Sequence, residues 1–271
     1  MRKRTCWQSK RTIPWNILGR IIMEKNNPNA VIRIASILIF FSLWQISSLY
    51  VEVDLLPGPS EVFDKIILES EDNEIFYHTA ITLKRVFLSF IIAMFIGTFF
   101  GIYMGRNSSL NNFLDDWLIM GLNVPALVII ILCYVWFGLN EVAAIVAVSL
   151  NKIPMVAVIM REGARSIEKD YVDVAKFYKI SGSKFFFKVI LPQLYPYLLS
   201  SARSGLSLIW KIVLVVELLG RSNGVGFKLF GFFQFFDISG ILAYTLVFVF
   251  LIIFVEFILV SPFEKKISIW R

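Results

Sequence analysis

Histidine occurs once in this chain, as His78, and cysteine twice, as Cys6 and Cys133. A lone histidine leaves no basis for a His-built metal centre. The cysteines fall on a basic stretch and within an apolar run, so no disulfide framework is implied. Charged residues are scarce, at 17%, where an ordinary soluble domain carries roughly a quarter. The phosphate-cradling pattern Gly-x-x-x-x-Gly-Lys-Ser/Thr is absent, and so is His-Glu-x-x-His. The GVGF stretch beginning at Gly224 is not a dinucleotide fingerprint. The chain by itself therefore reads as no enzyme. A secretory signal is also missing. Residues 1–30 are polar and basic, with Arg2, Lys3, Arg4, Lys10 and Arg11, and no apolar stretch before a cleavage site follows. They read as a basic tail. Met23 opens MEKNNPNAV, which resembles a natural start, so the choice between Met1 and Met23 stays open.

What the chain has in abundance is apolar surface. Of its 271 residues, 57% are hydrophobic, and the mean hydropathy is +0.71. A soluble domain of this size cannot hide that much. The fold expected is all-α, a polytopic membrane bundle of six helices over residues 31–271. The net charge of +7 invites a nucleic-acid reading. Its placement argues otherwise, because the basic residues concentrate in the segments that flank alternate spans.

The spans follow in order. Span 1 covers about 34–50 and is preceded by eight basic residues from Arg2 to Arg33, which places its start inside. The loop from Val51 to Phe76 carries eight acids against Lys65 alone, fitting the outside. Within it Ser60 reads as an N-cap, with Glu61 and Asp64 in the first turn of a short amphipathic helix. Span 2 covers about 77–104. Its Lys84 and Arg85 lie near the outer end and are read as snorkelling to the interface. Gly97, Gly101 and Gly105 fall four apart on one face, a spacing that lets helices approach closely; a pore-lining strip is the alternative. Span 3 covers about 113–137 and kinks at Pro125. Span 4 covers about 142–160, span 5 about 197–216 and span 6 about 241–260. Between spans 5 and 6, a glycine- and phenylalanine-rich segment reads as interfacial and partly re-entrant. The basic tail Lys265, Lys266 and Arg271 puts the C-terminus inside.

The longest polar interruption, 161–195, separates spans 4 and 5. It holds seven basic residues and four acids. A loop of that length packs on something or lines something. Asp170 is placed to cap a short helix, with Asp173 at its third position. Gly182 marks a turn, and a second amphipathic stretch runs into Leu191-Pro192.

This loop resembles the EAA loop of ABC-importer permease subunits: Glu-Ala-Ala, three residues, Gly, nine residues, Ile, one residue, Leu-Pro. Asp173, Val174 and Ala175 stand for Glu-Ala-Ala, Val189 for Ile, and Leu191 and Pro192 match. The departure is Lys179 where Gly belongs, with Gly182 three residues late. The flanks LPGPSEVFDKIILE, NVPALVIIILCYVWFGLNE and WKIVLVVELLGRSNGVGF are similar to the taurine, sulfonate and nitrate branch. The resemblance covers about 56–266. It implies a type I importer fold in the bacterial inner membrane, multi-pass, with both termini cytoplasmic. It implies a coupling helix in the loop between spans 4 and 5, with Asp170 to Lys179 docking on an ATPase and Ala175 allowing close approach. It further implies a homodimer in the lipid bilayer, two ATPase partners that bind the ATP and Mg, and an outer substrate-binding protein. No cofactor, metal or nucleic acid is implied for this chain. The cargo implied is a small anion such as a sulfonate, taurine or nitrate. A pyrimidine or vitamin precursor is the alternative. The rivals outside the family are a self-sufficient secondary transporter and a membrane scaffold, but no inverted repeat is visible.

The candidate translocation path comprises Asn151, Lys152, Lys211 and Glu217. Lys152 falls near the middle of span 4, where an unpaired ammonium costs at least ~2.5 kcal/mol. It either meets an anionic substrate, pairs with Glu217 or Glu256, or faces a wet dimer interface. Arg203 is read as snorkelling from the inner end of span 5.

The topology is open to direct test. Single cysteines at Asp72 and Ser181 should label from opposite sides of the membrane. Labelling of both from one side would end the six-span arrangement.

Overall fold

The structure, a computed structural model, describes residues 28–51 and 55–256. The basic tail through residue 27, Cys6, Met23 and the C-terminal Lys265, Lys266 and Arg271 lie outside the described residues, as does the end assigned to span 6. The described residues are helical, with no strand among them. They fall into two compact units divided between Pro59 and Ser60.

The first unit holds α1 (Pro28–Tyr50), which starts six residues before the apolar run suggested. The Trp44 indole donates to the Pro57 carbonyl at 3.0 Å, fixing the turn that follows the helix.

The second unit holds α2 (Pro59–Glu71), α3 (Glu74–Arg106), α4 (Ser108–Asn123), α5 (Ala126–Phe137) and α6 (Glu141–Arg165). Next come α7 (Lys169–Phe177), α8 (Gly182–Phe185) and a π-helical segment, Phe186–Ile190. The chain then runs through α9 (Leu191–Gly220), α10 (Val225–Gln234) and α11 (Ile238–Val255). The helix starts follow side-chain chemistry. Asn107, Asn140 and Asp237 accept from the backbone N–H groups of Leu110, Ala143 and Gly240, each three residues on. Ser60 does not cap α2, because the helix already begins at Pro59, whose fixed φ suits a first helical position.

Span 3 is corrected. It is not one kinked helix but two, α4 and α5, set at 97°. Proline disfavours the helical conformation of the residue before it. Val124 is accordingly extended, at φ −69° and ψ 123°, and Pro125 itself lies at ψ 135°. Among the described residues, three helices, α3, α6 and α11, are long and apolar enough to cross a membrane, and there are four such spans if α4 and α5 form one broken span. α9 has 30 residues but carries Arg203, Lys211 and Glu217.

α6 is the central element, packed on α3, α4, α5 and α9. Its contact with α3 is set by Gly97, Gly101 and Gly105. A Cβ at Gly97 would lie 2.6 Å from the Val156 Cβ, one at Gly101 2.7 Å from the Met160 Cβ, and one at Gly105 2.6 Å from the Ala164 Cβ. The three face α6, not an open passage. A core of Tyr134, Trp210, Tyr244 and Phe248 fills one end of the unit. Val156, Met160, Ile190 and Leu194 form a second core beside the α7–α9 connection.

Because Gly101 also meets the Ala157 backbone, which cannot swing aside, Gly101→Leu must separate α3 from α6. Overpacking of this kind costs roughly 1–3 kcal/mol. A lower unfolding midpoint in detergent and less protein in the membrane should result, while Gly231→Ala, which meets nothing within 4 Å, should leave both unchanged.

Candidate functional site

Two constructions lie along the long helices, one at the α6–α9 connection and one where α3, α6 and α9 meet α10. A single buried ammonium sits between them in sequence.

The connection is a closed hairpin. α7 ends in a left-handed residue, Lys179, at φ 52°. The Ile180 N–H donates to the Ala175 carbonyl and the Lys179 N–H to the Lys176 carbonyl, both at 2.9 Å. That is a Schellman cap, which favours glycine at this position. Lys179 therefore adopts the geometry that the glycine of the EAA pattern suits, at a cost of about 1 kcal/mol relative to glycine. Gly182 supplies a second left-handed residue, at φ 60°. The π-helical segment has a cause too. Pro192 cannot donate to the Lys188 carbonyl and its ring crowds it. The Leu191 N–H reaches back to Phe186 instead.

Gln193 closes the hairpin. Its amide donates to the Val189 carbonyl at 2.8 Å, and its oxygen accepts from the Glu168 N–H at 3.0 Å. Glu168, not Asp170, is the residue before α7, and Asp170 lies in the first turn, beside the helix's positive end. Asp173 pairs with Lys176 at 3.0 Å, both well exposed. Ala175 is buried at 2% exposure, so it faces its own chain and does not present a small surface to an outside partner. The outward face of the hairpin carries Tyr171, Val174, Phe177 and Tyr178, with Phe177 80% exposed.

At the other construction Glu217 has no exposed surface. Arg85 Nη1 donates to it at 2.6 Å, the Thr82 hydroxyl at 2.9 Å, and the Gly226 N–H at 2.9 Å. Arg85 uses all five of its hydrogens. Nε and Nη2 reach the two oxygens of Glu141 at 2.9 and 2.5 Å. Nη1 also donates to the Asn223 carbonyl at 2.8 Å, and Nη2 to the Asn223 side-chain oxygen. Arg221 adds a bond to Glu141 at 2.9 Å. Arg85 thus does not snorkel, and Glu217 lines no open path. Gly224 and Gly226 are required here, because a Cβ at either would run into the Glu217 side chain.

The turn Gly220-Arg221-Ser222-Asn223-Gly224 happens to spell Gly-x-Ser-x-Gly. It joins two helices, not a strand to a helix, so it is no nucleophile elbow. Both nitrogens of His78 are engaged, Nδ1 by the Gly224 N–H at 2.9 Å and Nε2 with Glu74 at 3.0 Å. No base is left for Ser222.

Lys152 is 2% exposed. Its ammonium meets the Met155 sulfur at 2.8 Å, and its stem runs beside Gly205 and Phe90. It pairs neither with Glu217 nor with Glu256, which lies 3.5 Å from Arg203. Asn151 is half-buried and Lys211 exposed. Of the four candidate path residues, Glu217 is thus held in the Arg85 network and Lys152 is buried without an acid partner.

Sequence reasoning named Arg85 only as snorkelling, missing its place in this network, and missed Glu141, Asn223 and Gln193 altogether. The signal for the first was present: an arginine within a span, with a threonine one turn before it and an acid ahead of Gly-x-Gly to receive it. Gln193 offered none beyond its place after Pro192.

A family model described as binding-protein-dependent transport system inner membrane component matches residues 78–268. The bicarbonate transport system permease protein CmpB of Synechococcus elongatus is 30% identical, over 75% of this chain and 77% of its own. A Bacillus subtilis permease named for aliphatic sulfonates transport, SsuC, is 29% identical, over 78% and 77%. The taurine transport system permease protein TauC of Escherichia coli K12 is 28% identical, over 68% and 69%. Among solved structures, the inward-facing MetNI methionine ABC transporter aligns with TM-score 0.58 at 17% identity, over 69% of this chain and 91% of that one. That likeness concerns the fold alone.

Removing one member of a buried ion pair leaves the other uncompensated, at roughly 3–5 kcal/mol. Arg85→Met and Glu217→Met should each lower stability by that order, and the double variant by clearly less than the sum. Strict additivity in a denaturation cycle would show that the two groups are not coupled.

Proposed function

Because the chain belongs to the binding-protein-dependent transport system inner membrane component family, we propose that it forms the membrane passage of an ATP-driven importer for a small anion. It is a permease subunit of an ABC importer, working with ATPase and binding-protein partners. Six helices cross the bacterial inner membrane with both termini inside. α7 is the coupling helix. Two copies form the passage. Cargo arrives from an outer binding protein, and ATP and Mg are held by the ATPases.

The observation that carries the coupling role is the hairpin geometry. A nine-residue helix is capped at its end, tied by Gln193 to the start of α9, and left with an apolar and aromatic outer face. An exposed aromatic cluster on a charged, rigid loop is the kind of surface that a partner's groove buries. Closure of the ATPase pair pushes α7. Because the hairpin is tied to both α6 and α9, the push tilts the two helices together. Asp170, Asp173 and Lys179 form the charged surround of that contact, and Ala175 supports it from beneath.

The anionic cargo rests on the names of the relatives, which transport bicarbonate, taurine and sulfonates. A pyrimidine or vitamin precursor is the competing cargo, and nothing in the geometry favours it. A secondary transporter needs a buried acid free to bind a coupling ion. Glu217, the fully buried acid among the described residues, is already held by Arg85, Thr82 and Gly226.

Phe177→Glu and Tyr178→Glu test the docking face without touching the hairpin's interior. Each should weaken co-purification of the ATPase by roughly thirtyfold, the scale of a central interface residue, and stop uptake while the permease stays in the membrane. Normal ATPase binding and uptake in both would remove α7 from the coupling role.

A further inference from the structure

Among the described residues, Lys152 is a fully buried charge whose surroundings do not answer it. Its side chain is 2% exposed at the middle of α6. An ammonium carries three donors, and the acceptor found is a thioether, Met155 Sδ at 2.8 Å. Thioether sulfur is a weak acceptor. The contrast with Arg85 is direct: that cation is equally buried and has every hydrogen placed on oxygen.

No acid pairs with Lys152 among the described residues. Glu217 is bonded to Arg85, Thr82 and Gly226. Glu141 holds Arg85 and Arg221. Asp115 and Glu162 hold Arg161. Glu256 lies against Arg203. On the side facing α9 stands Gly205, where an added Cβ would sit 3.7 Å from both the Lys152 Cε and the Phe90 ring. The lysine stem thus lies on α6 beside α9, the two helices to which the hairpin is tied.

We infer that the Lys152 ammonium is the membrane-embedded contact for an anionic group of the cargo, a sulfonate, nitrate or carboxylate-type oxyanion. The inference rests on the importer reading and assigns its cargo a partner within the passage. An oxyanion supplies the oxygen acceptors that the protein withholds. In the arrangement seen, the ammonium is covered. Uncovering it to water or to an anion relieves a burial cost of at least ~2.5 kcal/mol. Cargo therefore binds an arrangement in which the ammonium is uncovered better than the closed one, and so shifts the population toward it. A single unassisted ammonium gives a weak contact and a quick release, with capture left to the outer binding protein.

The test uses the whole transporter, permease with its ATPases and binding protein, in proteoliposomes. ATP-driven uptake of labelled ethanesulfonate, nitrate, bicarbonate and a neutral pyrimidine is measured for wild type, Lys152→Met, Lys152→Gln and Lys152→Arg. Wild type should carry at least one of the anions. Lys152→Met and Lys152→Gln should lower that uptake at saturating binding protein by roughly tenfold or more, with ATPase co-purification unchanged, and Lys152→Arg should restore part of it. Wild-type uptake in Lys152→Met overturns the inference. So does import of the pyrimidine alone, or loss of assembly in both neutral variants, which makes the lysine structural. Failure of the importer reading shows separately, as wild-type protein that binds no ATPase.

Discussion

Glu217 and Arg85 are each almost completely withdrawn from solvent, and neither can stay there without the other. That constraint fixes where the chain's separate parts meet. Arg85 comes from α3, Glu217 from α9, Glu141 from the first turn of α6, and Asn223 from the turn before α10. Two carboxylates face two guanidiniums, with Arg221 as the second cation. The five Arg85 donors reach oxygen at hydrogen-bonding distance, so its burial penalty is offset, while the Arg221 Nε is buried without a partner. Any relative slide of α3, α6 and α9 at this end would strand a charge. The glycines follow from the same need: the Glu217 carboxylate occupies the space that a side chain at 224 would fill, and the Leu214 carbonyl with the Glu217 Cβ the space at 226.

The opposite construction holds α6 and α9 by other means. Gln193 spans from the start of α9 to the start of α7, and the ring of Tyr197 packs against Gly163. α6 and α9 are thereby tied near both ends, and α6 lies along the glycine face of α3 between them. A force applied to the hairpin is not absorbed by a slack loop. It is delivered to a pair of helices whose far ends are locked by charge.

Much of this was legible in the sequence, for physical reasons. Apolar runs marked the long helices, and glycines four apart marked a face for close approach. The helix-turn-helix form of the α7–α9 connection was readable from its charges, from Gly182 and from Pro192. What was not legible lay in long-range pairing. Arg85 and Glu217 are 132 residues apart, and Arg85 and Glu141 are 56 apart. A span carrying an arginine announces that a partner exists but not which acid it is. At Pro125 the sequence showed that a helix must yield. It did not show that Val124 and Pro125 would both leave the helical region and turn the chain by 97°. In a helix as short as α7, the face toward the protein cannot be told by period alone, so the inward turn of Ala175 came from the fold.

Burial by itself does not separate a structural charge from a working one. Arg85 and Lys152 have the same 2% exposure and both lie within long helices. They differ in acceptors. Arg85 has oxygen for every hydrogen, and its surroundings are built to keep it. Lys152 has a sulfur and a gap beside Gly205. An arrangement that satisfies a buried cation completely resists change, because every alternative position is worse. One that leaves a cation unsatisfied makes its own displacement favourable. A transporter needs both: a fixed joint that transmits force, and near it a place where the closed arrangement is the less comfortable one. Placing the satisfied cation at the end of the bundle and the unsatisfied one at the middle of α6 meets both requirements within one set of helices.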